Sequence, residues 1–408
     1  MISYYLLLIL SFCLPLNKKV LPYLIICIIL NWFIRWNFRL NFIPIFKSKN
    51  ILLFISFFLL YVVGILYSHD LNYAADDILL KLSLFIFPIV LFISSEYSFD
   101  KIKSILLAFI SGCFVACIGC LIHSTISYYQ THDLIAFFYG NLSIIHHPGY
   151  FSMYLTFVNS LLIFHTFLKQ SRPSTRNIFL LSILIVFFSL FIILLNSKTG
   201  IFSSLWIFFI SLIYFFIGNK RYLMLIGSML SILLFFLLIY HFFINPVNPR
   251  FAKPQEMFQN KSEVIDKTTT ESSSVRVLIW QAATEIIKDN FIFGVGTGDV
   301  KDVLLEKYKE KGMTGALSER LNAHNQFLQT FIALGLPGII LLLSSFIFPF
   351  ILAFRKKNFI YIVFLVIVFI NFLTESMLET IAGVLFYAFF NSLLMVNINR
   401  KELSLIKD

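Results

Sequence analysis

Apolar runs recur from one end of the chain to the other, separated mostly by short polar connections. Each is about 17 to 25 residues long, the length a helix needs to cross the hydrocarbon of a bilayer. They predict spans near residues 2–16, 20–36, 51–67, 78–94, 105–129, 149–168, 177–195, 200–217, 222–244, 326–353, 358–374 and 378–397. A lipid-facing barrel strand would alternate apolar and polar positions, and these runs do not. The predicted fold class is therefore all-α, a polytopic membrane protein of about twelve transmembrane helices.

One long polar interval interrupts this rhythm. It divides the chain into N-terminal helices (1–244), a large outer loop (245–325) and C-terminal helices (326–408). Asn245-Pro246 and Asn248-Pro249 stop the ninth span, because the residue before a proline is pushed out of helical geometry. Within the loop, Ser274 suits the N-cap of a helix over about 275–289. Its apolar stripe is Val275, Leu278, Ile279, Ala282, Ala283, Ile286 and Ile287, with Arg276 and Trp280 one turn apart on a flank. Gly294, Gly296 and Gly298 make a turn, and Asp299 suits the cap of a second short amphipathic helix, about 300–311, ending at Gly312. Beyond the loop, Gln326–Phe354 is too long for one straight span. Gly335 and Pro337 should break it, leaving Asn322–Leu334 as a short outer helix with His324 in its first turn.

Composition agrees with the pattern: of 408 residues 59% are hydrophobic, 50 are Phe and only 13% are charged. The net charge of +11 has a location. Residues 245–322 carry eleven Lys/Arg and eleven Asp/Glu, so the loop is neutral. The excess lies in connections on one side of the membrane: Arg39, Lys47 and Lys49; Lys101 and Lys103; Lys169, Arg172 and Arg176; Lys220 and Arg221; Arg355 to Lys357; Arg400 and Lys401. By the positive-inside rule that side is cytoplasmic, which puts both termini inside and the loop outside. The basic excess reports topology and gives no reason to expect nucleic acid. Lys18, Lys19 and Lys198 are the exceptions on the outer side. The first span lacks a basic leader and a small-x-small cleavage site, so it reads as a retained helix. The loop has no cysteine to staple it. Cys113, Cys117 and Cys120, interleaved with Gly112, Ala116 and Gly119, suggest a small-residue packing face.

Few residues can carry chemistry in such a chain. His324, at the mouth of a helix on the outer face, is either a general base or an interfacial hydrogen-bonding histidine. Arg276 is either a fork for phosphate oxygens or the partner of a loop acid. Lys198, in the tight turn Asn196–Gly200, either serves function or snorkels to the interface. The glycine triplet reads as a structural turn, since no strand precedes it to support a dinucleotide fold. Asp76 and Asp77 read as helix-start carboxylates, with a divalent metal site as the alternative. No outer cluster of His, Asp and Glu has metal-ligand spacing, so neither metal nor other cofactor is expected. The aromatic connection Gln130–His147, ending in His146-His147-Pro148-Gly149-Tyr150, reads as a membrane-interface belt.

Taken in order, Lys198 in its short outer turn, Arg276-x-x-x-Trp280, Phe293-Gly-x-Gly-x-Gly298, Ala323-His324-Asn325 and Leu334-Gly-x-x-Gly338 resemble the O-antigen ligase and O-antigen polymerase superfamily of bacterial inner membranes. The motif-bearing stretch covers about 180–345. The resemblance implies a metal-independent glycosyltransferase of the GT-C type with the large loop in the periplasm. It would move a glycan from undecaprenyl pyrophosphate to a lipid A-core or similar acceptor. The family's histidine maps onto His324, its loop arginine onto Arg276 and its other pyrophosphate-binding arginine onto Lys198, where Lys keeps the charge but loses the planar fork. Asn325, Trp280, Gly296 and Tyr150 are expected in support. A repeat-unit polymerase is the alternative within the family. A transporter or flippase of lipid-linked glycans, expected to carry ionisable residues deep in several spans, is the alternative outside it, and a metal-dependent oligosaccharyltransferase is a further one. Lys81 and Glu375 are the ionisable residues nearest to such depth.

Overall fold

A computed structural model describes residues 2–34, 49–93, 98–168, 174–218, 227, 230, 234, 266–270 and 272–405. The described residues form helices, turns and loops with no strand among them. In chain order the helices are α1 (Ile2–Cys13), α2 (Leu21–Ile34), α3 (Lys49–Ile65), α4 (Leu71–Lys81), α5 (Ser83–Ile93), α6 (Phe99–Thr131), α7 (Tyr139–Leu142), α8 (Pro148–Ile163), α9 (Thr175–Leu194), α10 (Lys198–Gly218), α11 (Ser272–Asp289), α12 (Val300–Glu310), α13 (Thr314–Ser318), α14 (Gln326–Arg355), α15 (Phe359–Thr374) and α16 (Ile381–Leu405). A 3-10 turn, Met377–Glu379, joins the last two.

Five of these helical stretches are long and apolar enough to cross a membrane: 100–131, 148–168, 175–194, 198–216 and 326–355. Five more, 2–13, 21–34, 51–65, 359–374 and 381–396, are apolar but shorter. The chain is an all-helical membrane protein. The ninth expected span, 222–244, falls almost wholly outside the described residues, as does the start of the loop.

The expected span 78–94 is corrected to two helices, α4 and α5, separated at Leu82. The helix begins earlier than hydrophobicity suggests because Asp70 caps it, its side chain accepting from the Tyr73 N–H. Asp76 and Asp77 therefore lie inside α4 and are not its cap. Asp77 is buried and pairs with Lys81 one turn on. Lys81, wholly buried, also pairs with Glu379 at 3.0 Å and lies over the Tyr61 ring. The triad ties α4 and α3 to the turn between α15 and α16.

The centre of the bundle is aromatic. Where α6, α8, α15 and α16 meet, Phe109, Tyr154, Phe157, Phe364, Phe386 and Phe390 pack ring on ring, Tyr154 and Phe386 stacking at 4.8 Å. Such pairs add to plain burial, so this cluster is the natural anchor of the fold. The small-residue face of α6 packs in part as expected. Cys113, Ala116, Cys117 and Cys120 are buried, and a Cβ on Gly112 would strike the Phe12 carbonyl of α1. Gly119, by contrast, faces open space.

The break in α14 is at Gly335, whose φ of 61° and ψ of −152° are not helical. A break orphans backbone groups, and the glycine turn satisfies them. Val295 and Gly296 donate to the carbonyls of Ile332 and Ala333, and the Leu336 N–H donates to Phe291 and Ile292. Gly294 and Gly296 take φ of 71° and 98°, and a Cβ on Gly294 or Gly335 would meet backbone at 2.6 Å or less. The two glycine motifs are thus one unit that docks the outer loop on the membrane helices.

Candidate active site

Helix ends build the site. α11 begins at Ser272, two residues before the expected cap Ser274, and places Arg276 and Trp280 one turn apart. The indole N–H of Trp280 donates to the Ala323 carbonyl at 3.1 Å, and the Ala323 N–H donates to the Gln329 side chain. His324 follows directly. Its expected position, in the first turn of a helix, is corrected: α14 starts at Gln326, and Asn325 is its N-cap. The reason is that the Asn325 Oδ1 accepts from both Phe327 and Leu328 N–H groups, at 2.9 and 3.1 Å. His324 is left in the preceding loop with a left-handed φ of 44°. A bulky residue holds that backbone only where its surroundings fix it. Asn196, beside the Lys198 turn, and Tyr139, beside His147, have φ of 48° and 52°.

Glu375 organises the cluster. It follows the last residue of α15, where the helix dipole disfavours a carboxylate, so its partners must compensate. Arg276 Nη2 donates to its Oε1 at 2.6 Å, and His324 Nδ1 lies 3.3 Å from its Oε2. Burial alone would raise the carboxyl's pKa. The His324 hydrogen bond and the charge of Arg276, with the imidazoles of His324 and His147 close by, outweigh that and hold it below its ordinary value. An ionised carboxylate only accepts, so the His324 proton sits on Nδ1 and the Nε2 lone pair is left for chemistry. The Asn325 side chain donates to the Leu373 carbonyl at 3.1 Å, clamping the α14 N-terminus to the α15 C-terminus and so holding His324 beside Glu375.

Lys198 comes to the same place. Its ammonium donates to Ser273 Oγ at 2.8 Å, and the neighbouring Thr199 hydroxyl pairs with Thr374, adjacent to Glu375. His147 caps α8 and feels the charges of Glu375, His324, Arg276 and Lys18. Tyr150, one turn into α8, is buried and reaches the Thr380 hydroxyl. The N-terminal ends of α10, α11 and α14 are thus brought together beside Glu375, adding positive potential to Lys198 and Arg276. Arg276 keeps its Nε–H without an acceptor among the described residues.

Not every candidate converges. Gly296 spends its N–H on Ala333 and belongs to the docking unit. Asp299 makes no side-chain cap. Its carboxylate instead accepts from the His69 and Asp70 N–H groups and from the His69 ring. Asp76 and Asp77 are remote in role, and no group of three or more His, Cys, Asp or Glu gathers to hold a metal among the described residues. Sequence reading missed Glu375 and His147 as members of the site. Glu375 is 99 residues from Arg276 and 51 from His324, so no local motif marks it. His147 was signalled only by its place before Pro148.

Most of the ordered motifs lie in a segment that resembles a known family. The O-antigen ligase family model matches residues 183–343, a segment containing Lys198, Arg276, Trp280, Gly296, His324 and Asn325. Over that segment the chain is similar to the O-antigen ligase family. No curated protein matches the chain. Glu375 lies beyond the matched segment, as do His147 and Tyr150, so half of the cluster comes from helices outside it.

Proposed function

We propose that the protein is an O-antigen ligase-type glycosyltransferase working at the periplasmic face of a bacterial inner membrane. The donor is a glycan on undecaprenyl pyrophosphate and the acceptor a hydroxyl of a lipid A-core or similar glycolipid. The observation that carries the reading is the pairing of Arg276 and His324 with Glu375, with Lys198 bound to Ser273 at the start of the helix that carries Arg276, at the helix ends opposite the basic Arg355–Lys357 connection.

In this reading His324 Nε2 takes the proton of the acceptor hydroxyl as its oxygen attacks the anomeric carbon. The bond from that carbon to the phosphate oxygen breaks, and undecaprenyl pyrophosphate leaves with the electron pair. Arg276 and Lys198 hold the charge that develops on it. Glu375 keeps the proton on Nδ1 and pairs with the imidazolium that forms. Attack from the face opposite the leaving group inverts the anomeric configuration. The lipid pyrophosphate supplies the driving force, so no cofactor or metal enters the scheme.

Polymerisation uses the same chemistry with another lipid-linked repeat as acceptor; ligation is preferred because the matched family is described by it. The surface glycans of a deletion strain test the choice. Ligation predicts unmodified lipid A-core with polymer accumulating on the lipid carrier. Single repeats on the lipid A-core would instead indicate a polymerase, and an unchanged glycan profile would overturn the proposal.

A further inference from the structure

His147 caps α8 within electrostatic reach of Glu375, His324 and Arg276, and its ring is held in one tautomer by its own helix. Pro148 is the first residue of α8 and has no N–H, so the first amide that needs an acceptor is that of Gly149. His147 Nδ1 accepts it at 3.3 Å. A Cβ on Gly149 would also lie 3.3 Å from that nitrogen, so glycine leaves the ring room to make the cap. A ring nitrogen that accepts carries no proton, so the neutral ring keeps its hydrogen on Nε2. Among the described residues Nε2 pairs with the Tyr139 hydroxyl, at 3.4 Å, the long limit of a hydrogen bond.

The charged groups facing this ring are Glu375, His324, Arg276 and Lys18. Burial is the largest influence and holds the ring's pKa below the ordinary imidazole range, against the pull of Glu375 and with help from Arg276 and Lys18. The residue nevertheless keeps part of its surface exposed. The two histidines therefore present opposite faces of imidazole chemistry. His324 gives its Nδ1–H to Glu375 and offers a lone pair at Nε2, whereas His147 spends its Nδ1 lone pair on a helix cap and offers an N–H at Nε2.

We infer that His147 is a second substrate-contacting histidine, whose Nε2–H is a neutral hydrogen-bond donor to a phosphoryl oxygen of the lipid-linked donor. This rests on the ligase reading. An anion is the fitting partner because the ring lies within electrostatic reach of Arg276, the residue assigned above to the pyrophosphate, which balances the pull of Glu375. A neutral donor strengthens its bond as the leaving oxygen gains charge, without having to gain or lose a proton.

His147→Asn separates the two roles, because asparagine is a strong N-cap but has no group at the Nε2 position. In the full-length protein, purified and reconstituted in lipid, the variant should insert and unfold like the wild type. It should transfer glycan about a hundredfold more slowly, the usual loss for one oxyanion donor. Wild-type turnover by His147→Asn would reduce the ring to a cap and overturn the inference. Nitrogen-15 spectra of histidine-labelled protein give a readout independent of turnover. Signals lost in His147→Asn should show a bare Nδ1 and a protonated Nε2 that shifts on adding inorganic pyrophosphate. A protonated Nδ1, or no shift, would also overturn it. Absence of transfer by the wild type with any lipid-linked glycan would sink the ligase reading itself, which the spectra distinguish from failure of the tautomer argument.

Discussion

Replacing Glu375 by glutamine tests the logic of the cluster most finely, because it keeps shape and removes charge. The carboxylate contacts Arg276 at 2.6 Å and His324 at 3.3 Å and is only 13% exposed. When His324 takes a proton, the new imidazolium and Glu375 attract. At about 4 Å and an effective dielectric of about 20 the interaction is about 4 kcal/mol. At about 1.4 kcal/mol per tenfold, losing most of it slows the chemical step by two to three orders of magnitude. The amide can still accept from Nδ1–H, so the tautomer survives and the loss falls on kcat. Arg276 meanwhile loses its counter-charge. It is 18% exposed, so water offsets part of the penalty of an unpaired buried charge. Its positive field becomes available to pyrophosphate, and the KM for the donor should hold or fall. The assay is transfer by purified protein from lipid-linked glycan at saturating and limiting donor. A Glu375→Gln enzyme with wild-type kcat, or one that loses only donor affinity, would refute this account of the carboxylate.

Other outcomes follow from the same geometry. Glu375 has a folded pKa below its unfolded value, about 4.3 for a model glutamate. Its stabilisation is therefore present above that value and lost as pH falls through the lower folded one. Thermal unfolding of the wild type should drop more steeply with acid than that of Glu375→Gln, and parallel curves would contradict the shift. Arg276→Lys should lose most activity because a compact ammonium lacks the planar fork whose separate nitrogens can hold Glu375 and reach phosphate at once; full activity would make Arg276 a simple counter-ion. Lys81→Ala leaves Asp77 and Glu379 buried without their partner, and breaking such a pair costs about 3–5 kcal/mol; an unchanged unfolding temperature in detergent would show the triad to be hydrated.

Much of the architecture is legible in hydrophobic run length, because lipid imposes a length on every helix that crosses it. The site is legible only where a motif is local. Arg276 and Trp280 share a turn of α11, and His324 and Asn325 are neighbours, so their partnership is visible in the chain. Even there the cap was misplaced, because Asn325 binds two amides and draws the helix start past His324. Glu375 was read as an ionisable residue near a span because its meaning is tertiary: it becomes an orienting group only when α15 ends beside α11 and α14. The same holds for the glycine motifs. Each looks like a turn alone, and that one supplies the hydrogen bonds the other lacks emerges only when the loop docks on the broken helix. Asp77 was misassigned because Asp70, further upstream, is the cap, which leaves Asp77 to face Lys81.

The central claim is that His324 Nε2 accepts the proton of the attacking hydroxyl. The most direct measurement is the transfer rate of His324→Gln against the wild type, with binding of the lipid-linked donor measured on the same reconstituted samples. Glutamine can still hydrogen-bond to Glu375 but cannot take up the proton. The account predicts wild-type donor binding and a rate lower by about 10²- to 10⁴-fold, the usual contribution of a general base. Turnover at the wild-type rate by His324→Gln would contradict it.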